Sequence, residues 1–294
     1  MTTTAKVIAH SVSSLGGPPL VTLKLRYPKF VHGEFLTHRM FSRNSSSSRA
    51  IPVERLIQDV LDDPVIPMHW GANQRGMQAS EETNALVDHP FYRDDIGSIT
   101  NRTAWLLARD QAVVTARAFS AAGYHKQIVN RLIEPFCHIN TVVSGTQWSN
   151  FFALRCHKDA QPEMRVLAET IRDAMAVSTP KVLQPGEWHL PFVTSADRVA
   201  AASIDHQIRL PDRLIHVSVA RCARVSYETH DGRKPDVVED LALYDKLVGS
   251  VPLHASPAEH QATPVRDPYW GNTQGANFGD WWCQYRKTLP GECG

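Results

Sequence analysis

The stretch GEFLTHRMFSRNSSSSRAIP, residues 33–52, contains five serines and three arginines and few aliphatic side chains. The segment before it, residues 20–35, alternates apolar and polar residues with a β-branched bias, which predicts a strand. The segment after it, residues 48–63, predicts a short amphipathic helix with Pro52 near its first turn. The stretch therefore connects a strand to a helix, a position where ligand-binding loops often lie.

This stretch is suited to binding an anion. Serine hydroxyls donate hydrogen bonds, successive backbone N–H groups can converge on one point, and a guanidinium matches two phosphate oxygens. The residues that would do this are Ser45, Ser46, Ser47, Ser48 and Arg49. The alternative is that a polar run of this kind forms only a flexible, solvated loop.

The composition excludes several classes of function. The 31 basic and 30 acidic residues give a net charge of +1, so we expect no nucleic-acid and no membrane partner. The five cysteines form an odd set without a C-x-x-C pair, which predicts neither a disulfide framework nor a metal site. The N-terminus lacks the apolar segment of a signal peptide, and no run of apolar residues is long enough to span a membrane. We therefore expect a soluble, cytoplasmic protein.

The rest of the chain predicts helices separated by strands and loops. Residues 64–95 are rich in Pro, Gly, Asn and Asp and are expected to form a long surface insertion. The predicted helices are a buried helix at 99–122 that stops near Gly123, and helices at 145–161, 162–177 and 240–251. The other predictions are a loop at 180–191, a strand at the start of 214–228 and an irregular tail from Pro252. Helices mixed with separated strands favour one α/β or α+β domain over residues 1–294.

Two blocks of sequence carry a resemblance to one enzyme family. Residues 38–49 contain H-R-x-x-S-x-N-x-x-S-x-R, which resembles the signature R-H-R-x-x-S-x-N-x-x-S-x-R of the flavin-dependent thymidylate synthases, the ThyX family. Residues 150–168, NFFALRCHKDAQPEMRVLA, resemble a later helix of that family. Residues 130–135, NRLIEP, belong with this second block, because they resemble the family's Arg that lies four residues before a Pro.

A third block resembles the same family but lies in an unexpected position. Residues 220–232 and 254–264 resemble the A-A-R-V-S-Y and H-x-S-P-F-E-H segments that open the family's usual sequence. Here they follow the R-H-R-like block instead of preceding it. The resemblance therefore implies a circular permutation in which residues 180–219 join the usual termini. We expect residues 20–35 to lie beside residues 254–264.

The resemblance implies a fold and an activity. The implied fold is α+β, a single domain with a central twisted, largely antiparallel sheet flanked by helices. The implied activity is methylation of dUMP at C5 to give dTMP, with FAD as bound cofactor, NADPH as reductant and methylenetetrahydrofolate as one-carbon donor. The partners would be these small molecules, and the protein would be a homotetramer with shared active sites.

The resemblance also assigns site residues. Arg155 would be catalytic, stabilising negative charge on the pyrimidine. The dUMP-binding residues would be Glu34, Thr37, Ser45, Ser46, Ser47, Ser48, Arg49, Arg131 and Arg155. The FAD-binding residues would be His38, Arg39, Ser45, Ser144, Thr146, Asn150, His254, Ser256 and Glu259.

Several positions depart from the family pattern. Thr37 replaces the first Arg of R-H-R, and Glu34 replaces a Gln. Ser45 stands where many members carry Glu or Gln, and Ser144 and Thr146 replace an Asn-x-Arg pair. The basic residues that could compensate for the lost arginines are Arg43 and Lys126.

Alternative interpretations remain. A carboxylate at Glu34 could accept a hydrogen bond from the amino group of a cytosine, so dCMP is an alternative substrate and hydroxymethylation an alternative reaction. A flavin- or nucleotide-binding relative without turnover would also explain the departures. Cys156 could be a nucleophile, although a half-buried free thiol is the simpler interpretation. Helix spacing alone predicts that Arg155 pairs with Asp159.

Overall fold

The computed structural model describes residues 2–76, 79–88, 97–204, 207–225, 236–250 and 253–292. A five-stranded sheet lies at its centre, in the order β3-β6-β2-β1-β7. Its strands are β1 (Thr4–Ser13), β2 (Leu20–Pro28), β3 (Ser42–Ser45), β6 (His138–Gly145) and β7 (Lys181–Leu183). Every pair in this sheet is antiparallel except β1 with β7. Two short antiparallel pairs are β4 (Val87–Asp88) with β5 (Ser98–Ile99) and β8 (Ala262–Pro264) with β9 (Trp282–Gln284).

Helices cover the sheet and extend away from it. Within the described residues they are α1 (His32–Leu36), α2 (Val53–Asp62), α3 (Asn101–Ala121), α4 (Lys126–Val129), α5 (Ser149–Arg155), α6 (Pro162–Ala176), α7 (Ser195–Ser203), α8 (Leu210–Ala223) and α9 (Val237–Val248). None of them is long and apolar enough to cross a membrane. The mixed class and the largely antiparallel central sheet confirm the predicted fold class.

The main core lies between β2, β6 and α6. Leu23 and Leu25 of β2 pack with Val143 of β6, and Met164 and Leu167 of α6 lie against them, all fully buried. The helix predicted over residues 162–177 is confirmed as α6, whose apolar residues repeat with helical spacing and face the sheet. The predicted helices at α2 and α9 are also confirmed, whereas the helix predicted over residues 145–161 is the shorter α5, Ser149–Arg155. Gly123 has the positive φ of +85° that ends α3.

Two predicted strands end or fail for identifiable reasons. The strand predicted over residues 20–35 ends at Pro28, and a short helical turn and α1 follow. Val31 and Phe35 are four residues apart and both fully buried, so their spacing belongs to a helix and not to a strand. The strand predicted at the start of residues 214–228 is α8; valines there are buried against neighbouring helices, and burial overrides β propensity.

Two further predictions are corrected. The predicted loop at 180–191 contains β7, which pairs in parallel with the end of β1. The helix predicted to be buried at 99–122 is α3, whose buried positions are Val113 and Ala116. Its alanines lie largely on the surface, where they favour a helix through propensity and not through packing.

A chain of buried hydrogen bonds joins His189 and His260 to strands β1, β2 and β6 of the sheet. His189 Nδ1 contacts Ser11 Oγ at 2.8 Å, and its Nε2 contacts Thr22 Oγ1 at 2.7 Å. Thr22 Oγ1 lies 2.6 Å from Ser144 Oγ, which lies 2.8 Å from His260 Nδ1. Burial lowers the pKa of both histidines to about 3, so both rings are neutral at physiological pH.

The segment 254–264 lies beside the central sheet. Ala262 packs in one cluster with Leu20 of β2, and the short helix Ser256–Glu259 contacts β3. This proximity is the one expected for residues 20–35 and 254–264. The circular permutation itself stays a prediction, and part of the block at 220–232 lies outside the described residues.

We expect the free energy of unfolding to fall as the pH drops from about 6.5 towards 3. The pKa of His189 and of His260 is about 3 in the folded protein, so over this interval the unfolded chain binds more protons than the folded one. Each histidine contributes a slope of up to roughly 1.4 kcal/mol per pH unit. Urea unfolding at a series of pH values measures the slope.

The matched variants are His260→Gln and His157→Gln. His260→Gln removes one buried titrating ring and should have a shallower slope, whatever its absolute stability. His157, with 56% of its side chain exposed, serves as the surface control and should leave the slope unchanged. A slope in His260→Gln as steep as the parent's would contradict the assignment.

Candidate active site

Arg155, the last residue of α5, is held by three side chains of the segment around α1. Its Nε donates to His38 Nε2 at 2.9 Å, its Nη1 to Glu34 Oε2 at 3.2 Å, and its Nη2 to Thr37 Oγ1 at 3.3 Å. Asp159 instead pairs with His157, so the intrahelical salt bridge is not formed. The structure thus brings together four of the residues that the sequence assigned to the site.

His38 is a neutral hydrogen-bond acceptor in this arrangement. Burial, followed by the positive charges of Arg155 and Arg43, lowers the pKa of His38 below its ordinary value. Because Nε2 accepts from Arg155, the proton of the neutral ring lies on Nδ1. The ring packs edge-on against Phe151 at 4.9 Å, which fixes its plane.

Arg43 stabilises the turn that carries His38. Its Nη1 donates to the carbonyl oxygen of Leu36, the last residue of α1, at 2.8 Å and to that of His38, just beyond it, at 3.3 Å. A cation is favourable there because helix C-terminal carbonyls lack partners. Lys126 similarly donates to the carbonyl oxygen of Ala50 at 2.9 Å. In this structure both candidate compensating cations contact backbone carbonyls.

The inner part of the serine stretch is anchored to β6. Ser45 Oγ lies 2.9 Å from Thr141 Oγ1, and the backbone N–H of Ser46 donates to Asn140 at 2.8 Å. The side chain of Asn130 donates to the carbonyl oxygen of Ser48 at 2.6 Å. The stretch is therefore an ordered strand and turn, not a fully solvated loop.

The outer part of the stretch lies beside a carboxylate and two cations. Glu134 accepts from Lys29 Nζ at 2.5 Å, from Ser48 Oγ at 2.7 Å and from Arg131 Nη1 at 3.3 Å. We call Lys29, Ser48, Arg131 and Glu134 the Glu134 cluster. The side chain of Arg49 is exposed and has no hydrogen-bond partner in the part of the chain that the structure describes.

Sequence reasoning missed Lys29 and Glu134. Burial alone would raise the pKa of Glu134, but hydrogen bonds from Lys29 and Ser48 and the charges of Lys29 and Arg131 outweigh it and lower that pKa. The carboxylate is therefore ionised at neutral pH. Glu134 follows Arg131 by three residues in the NRLIEP segment, a spacing that could have indicated the pair.

A cleft of about 1050 Å³ opens next to Arg155. Glu34 and Arg155 lie on its wall, with side-chain exposures of 37% and 21%. Phe30 and Trp105 contribute aromatic surface, and His69 brings in the segment predicted as a surface insertion. Much of that segment is exposed, but its first part forms one side of the cleft.

The residues assigned to FAD fall into two groups. Arg39, Asn150, His254 and Ser256 are exposed polar side chains, and Glu259 forms an ion pair with Arg286. Ser144 and Thr146 are buried: Ser144 belongs to the histidine chain, and Thr146 Oγ1 donates to the carbonyl oxygen of Phe278 at 3.2 Å. Their assignment to a cofactor stays a prediction.

Cys156 is not set up as a nucleophile. Its thiol is half-buried, and burial raises its pKa above the ordinary value. A higher pKa reduces the thiolate fraction at neutral pH. The free-thiol interpretation is thus the one the structure favours.

The fold and the site define an α+β protein with an arginine held on the wall of a large cleft and a serine-rich turn that contacts the Glu134 cluster. The family model described as "Thymidylate synthase complementing protein" matches residues 3–181, and the chain belongs to this family. The match contains the serine stretch, Arg131 and Arg155, whereas residues 220–264 lie outside it. No curated protein matches the chain.

One solved structure similar to the chain is a UMP/dUMP methylase, PolB from Streptomyces cacaoi, bound with 5-Br dUMP. It is 13% identical, with a TM-score of 0.42, and the alignment covers 60% of this chain and 90% of that chain.

We expect Arg155→Met to raise the pKa of His38. The substitution removes a positive charge and the N–H group that donates to His38 Nε2, and it leaves the Glu34 carboxylate without its partner. All three changes favour the protonated His38 ring. NMR titration of the His38 ring protons measures the shift. Arg172→Met, on the exposed face of α6, is the control and should leave the His38 titration unchanged. An unaltered titration in Arg155→Met would show that the Arg155 guanidinium and the His38 ring do not interact in solution.

Proposed function

We propose that the protein methylates the C5 position of dUMP to give dTMP. Family membership supports a thymidylate synthase function. The observation that carries the proposal is the position of Arg155, held by Glu34, Thr37 and His38 at the wall of a large cleft. A guanidinium fixed in this way is preorganised to stabilise charge on a bound ring.

Arg155 would act on the pyrimidine. Methylation requires electron density at C5, and a fixed cation beside N3 and the C2 carbonyl would stabilise the negative charge that develops on the ring as C5 becomes nucleophilic, more in the transition state than in the ground state. His38 and Glu34 would hold the guanidinium in place and limit its rotation. The neutral state of His38 is important here, because a protonated ring would repel Arg155 and could not accept its hydrogen bond.

The serine stretch would bind the phosphate. Ser47, Ser48 and Arg49 lie at its outer end, and Arg131 lies close enough to share Glu134 with Ser48. The exposed Arg49 has no competing partner among the described residues, so it is available for a bidentate contact. Ser45 and Ser46, which are bonded to β6, would position the turn.

The exposed polar residues assigned to FAD fit such a group. Exposed cationic, amide and hydroxyl side chains suit a pyrophosphate and a flavin, and the residues that would hold this group are Arg39, Asn150, His254 and Ser256, together with His38. Ser45, Ser144, Thr146 and Glu259 are engaged within the chain. When bound and reduced by NADPH, FAD would supply the hydride that completes a methyl group delivered by methylenetetrahydrofolate.

We also propose a homotetramer with shared active sites, and light scattering tests this oligomeric state.

The proposal is tested by product analysis. Purified protein is incubated with methylenetetrahydrofolate, NADPH and either dUMP or dCMP, and the nucleotide product is identified by mass. The absorbance of bound flavin and its bleaching by NADPH are recorded in parallel. A protein that retains no FAD would contradict flavin dependence, and unmodified dUMP would contradict the methylation.

A second candidate substrate is dCMP. Glu34 Oε2 accepts from the N–H of Arg155 on the cleft wall, so its carboxylate can equally accept from the amino group of a cytosine. A hydroxymethyl product is distinguished from a methyl product by the same mass measurement. Binding without turnover would indicate a non-catalytic relative.

We expect Arg49→Ala to weaken nucleotide binding about ten- to a hundredfold, because a charge-assisted contact to phosphate is lost. FAD binding and the fold should be unchanged. Arg155→Ala should lower the single-turnover rate more than the affinity, since the phosphate still anchors the nucleotide. The control is Arg117→Ala, which removes an exposed guanidinium paired with Glu54. Normal nucleotide affinity in Arg49→Ala would mean that the serine stretch does not bind phosphate.

We expect Glu34→Gln to shift the substrate preference towards dUMP. A glutamine amide can donate to a uracil carbonyl, whereas the carboxylate can only accept. The ratio of kcat/KM for dUMP and dCMP should rise by about tenfold, the effect of one polar contact. The control Glu54→Gln should leave the ratio unchanged. A ratio that stays constant in both variants would exclude Glu34 from base recognition.

A further inference from the structure

Glu134 occupies donors that the proposed function assigns to the nucleotide phosphate. Its carboxylate accepts from Ser48 Oγ at 2.7 Å and from Arg131 Nη1 at 3.3 Å. It also accepts from Lys29 Nζ at 2.5 Å. An anion of the protein itself is therefore bound at the cluster where an anion of the ligand is expected.

The two anions compete for the same groups. A carboxylate and a phosphate both accept from guanidinium and hydroxyl donors, and two anions held by one set of donors repel each other. A phosphate monoester carries about −1.5 to −2 charge at pH 7, against −1 for a carboxylate. The phosphate would therefore gain more electrostatic stabilisation than Glu134 does from Arg131 and from Arg49, which follows Ser48 in the chain.

The structure offers Glu134 another partner when a phosphate binds. Lys29 is not one of the proposed phosphate ligands, and its ammonium group makes the shortest contact within the Glu134 cluster. The carboxylate is 21% exposed, so its side chain has room to move towards Lys29 and solvent. Rotation of this side chain would release Ser48 and Arg131 without leaving an uncompensated buried charge.

We propose that Glu134 is a specificity-determining residue of the phosphate site, which occupies Ser48 and Arg131 in the free protein and is displaced by the nucleotide phosphate. This inference rests on the proposed function for the position of the phosphate. Displacement favours a dianionic phosphate over weaker anions, because only the more highly charged group outcompetes the internal carboxylate. A nucleoside without phosphate would not displace it.

A purely structural role for Glu134 makes the opposite prediction. If Glu134 only holds Ser48 and Arg131 in the correct positions for a ligand, its removal disorders both groups and weakens phosphate binding. If Glu134 competes with the phosphate, its removal strengthens binding. The sign of the change in affinity therefore decides between the two roles.

The experiment compares Glu134→Gln with the parent by isothermal titration calorimetry. The ligands are dUMP, deoxyuridine and inorganic phosphate. The amide keeps the size of the side chain but removes its charge, so we expect dUMP and inorganic phosphate to bind roughly tenfold more tightly. The affinity for deoxyuridine should not change. Glu54→Gln removes the same charge from the exposed pair with Arg117 and should leave all three affinities unaltered.

A second variant, Glu134→Asp, tests the inference in case Glu134→Gln does not fold. Glu134→Asp keeps the charge but shortens the side chain, so it should reach Ser48 less well and give a smaller gain in dUMP affinity. Circular dichroism and thermal unfolding establish that each variant is folded. Weaker or unchanged dUMP binding in folded Glu134→Gln, or an equal gain for deoxyuridine, would overturn the inference. The absence of any dUMP or phosphate binding in both parent and variant would also overturn it.

The product assay separates this inference from the proposed function. If phosphate affinity rises in Glu134→Gln but the parent forms no methylated nucleotide, the proposed reaction fails and the competition stands. If the parent methylates dUMP but Glu134→Gln gains no affinity, the inference alone fails.

Discussion

The pairing of β6 with β2 on one side and β3 on the other fixes the whole site. The register places Pro28 opposite His138 and Ser45 opposite Thr141. Residues directly before β6 carry Arg131 and Glu134, and α5, which ends at Arg155, follows it closely. Because β6 pairs with β3 and directly follows the segment that carries Arg131 and Glu134, the serine stretch at the end of β3 reaches the Glu134 cluster. A shift of one residue would turn every side chain of β6 to the opposite face and separate these groups.

The arginines of the site differ in what they contact, and the difference defines their roles. Arg155 contacts three side chains, Arg43 contacts backbone carbonyls at the C-terminal end of α1, and Arg131 shares a carboxylate with Lys29. A guanidinium bound to backbone supports the fold, whereas one held by side chains at a cleft can interact with a ligand. Lys29 and Arg131 both lie against Glu134, so basic side chains are locally concentrated in a protein whose net charge is only +1.

Sequence patterns predicted elements well where one face alone is buried. The helices α2, α6 and α9 show this, because their apolar residues repeat with helical spacing. The patterns failed for α8, which is buried on several sides and rich in valine, and for residues 31–35, where alternation and helical spacing overlap. Tertiary burial decided both cases. Sequence patterns also failed to show that α3 is largely exposed, because its alanines are compatible with a buried helix as well as with a surface helix.

The sequence by itself determined the family, because motif residues keep their spacing in the chain, and it indicated the strand β2 and singled out Arg155 as a candidate site residue. Only the tertiary structure decided that Arg155 contacts His38 and Glu34, more than a hundred residues away, and not the nearby Asp159. It also decided that Glu134 lies beside Ser48 and Arg131 and that Ser144 is buried in contact with His260. Such contacts depend on strand register and on the direction of side chains, which local sequence does not encode.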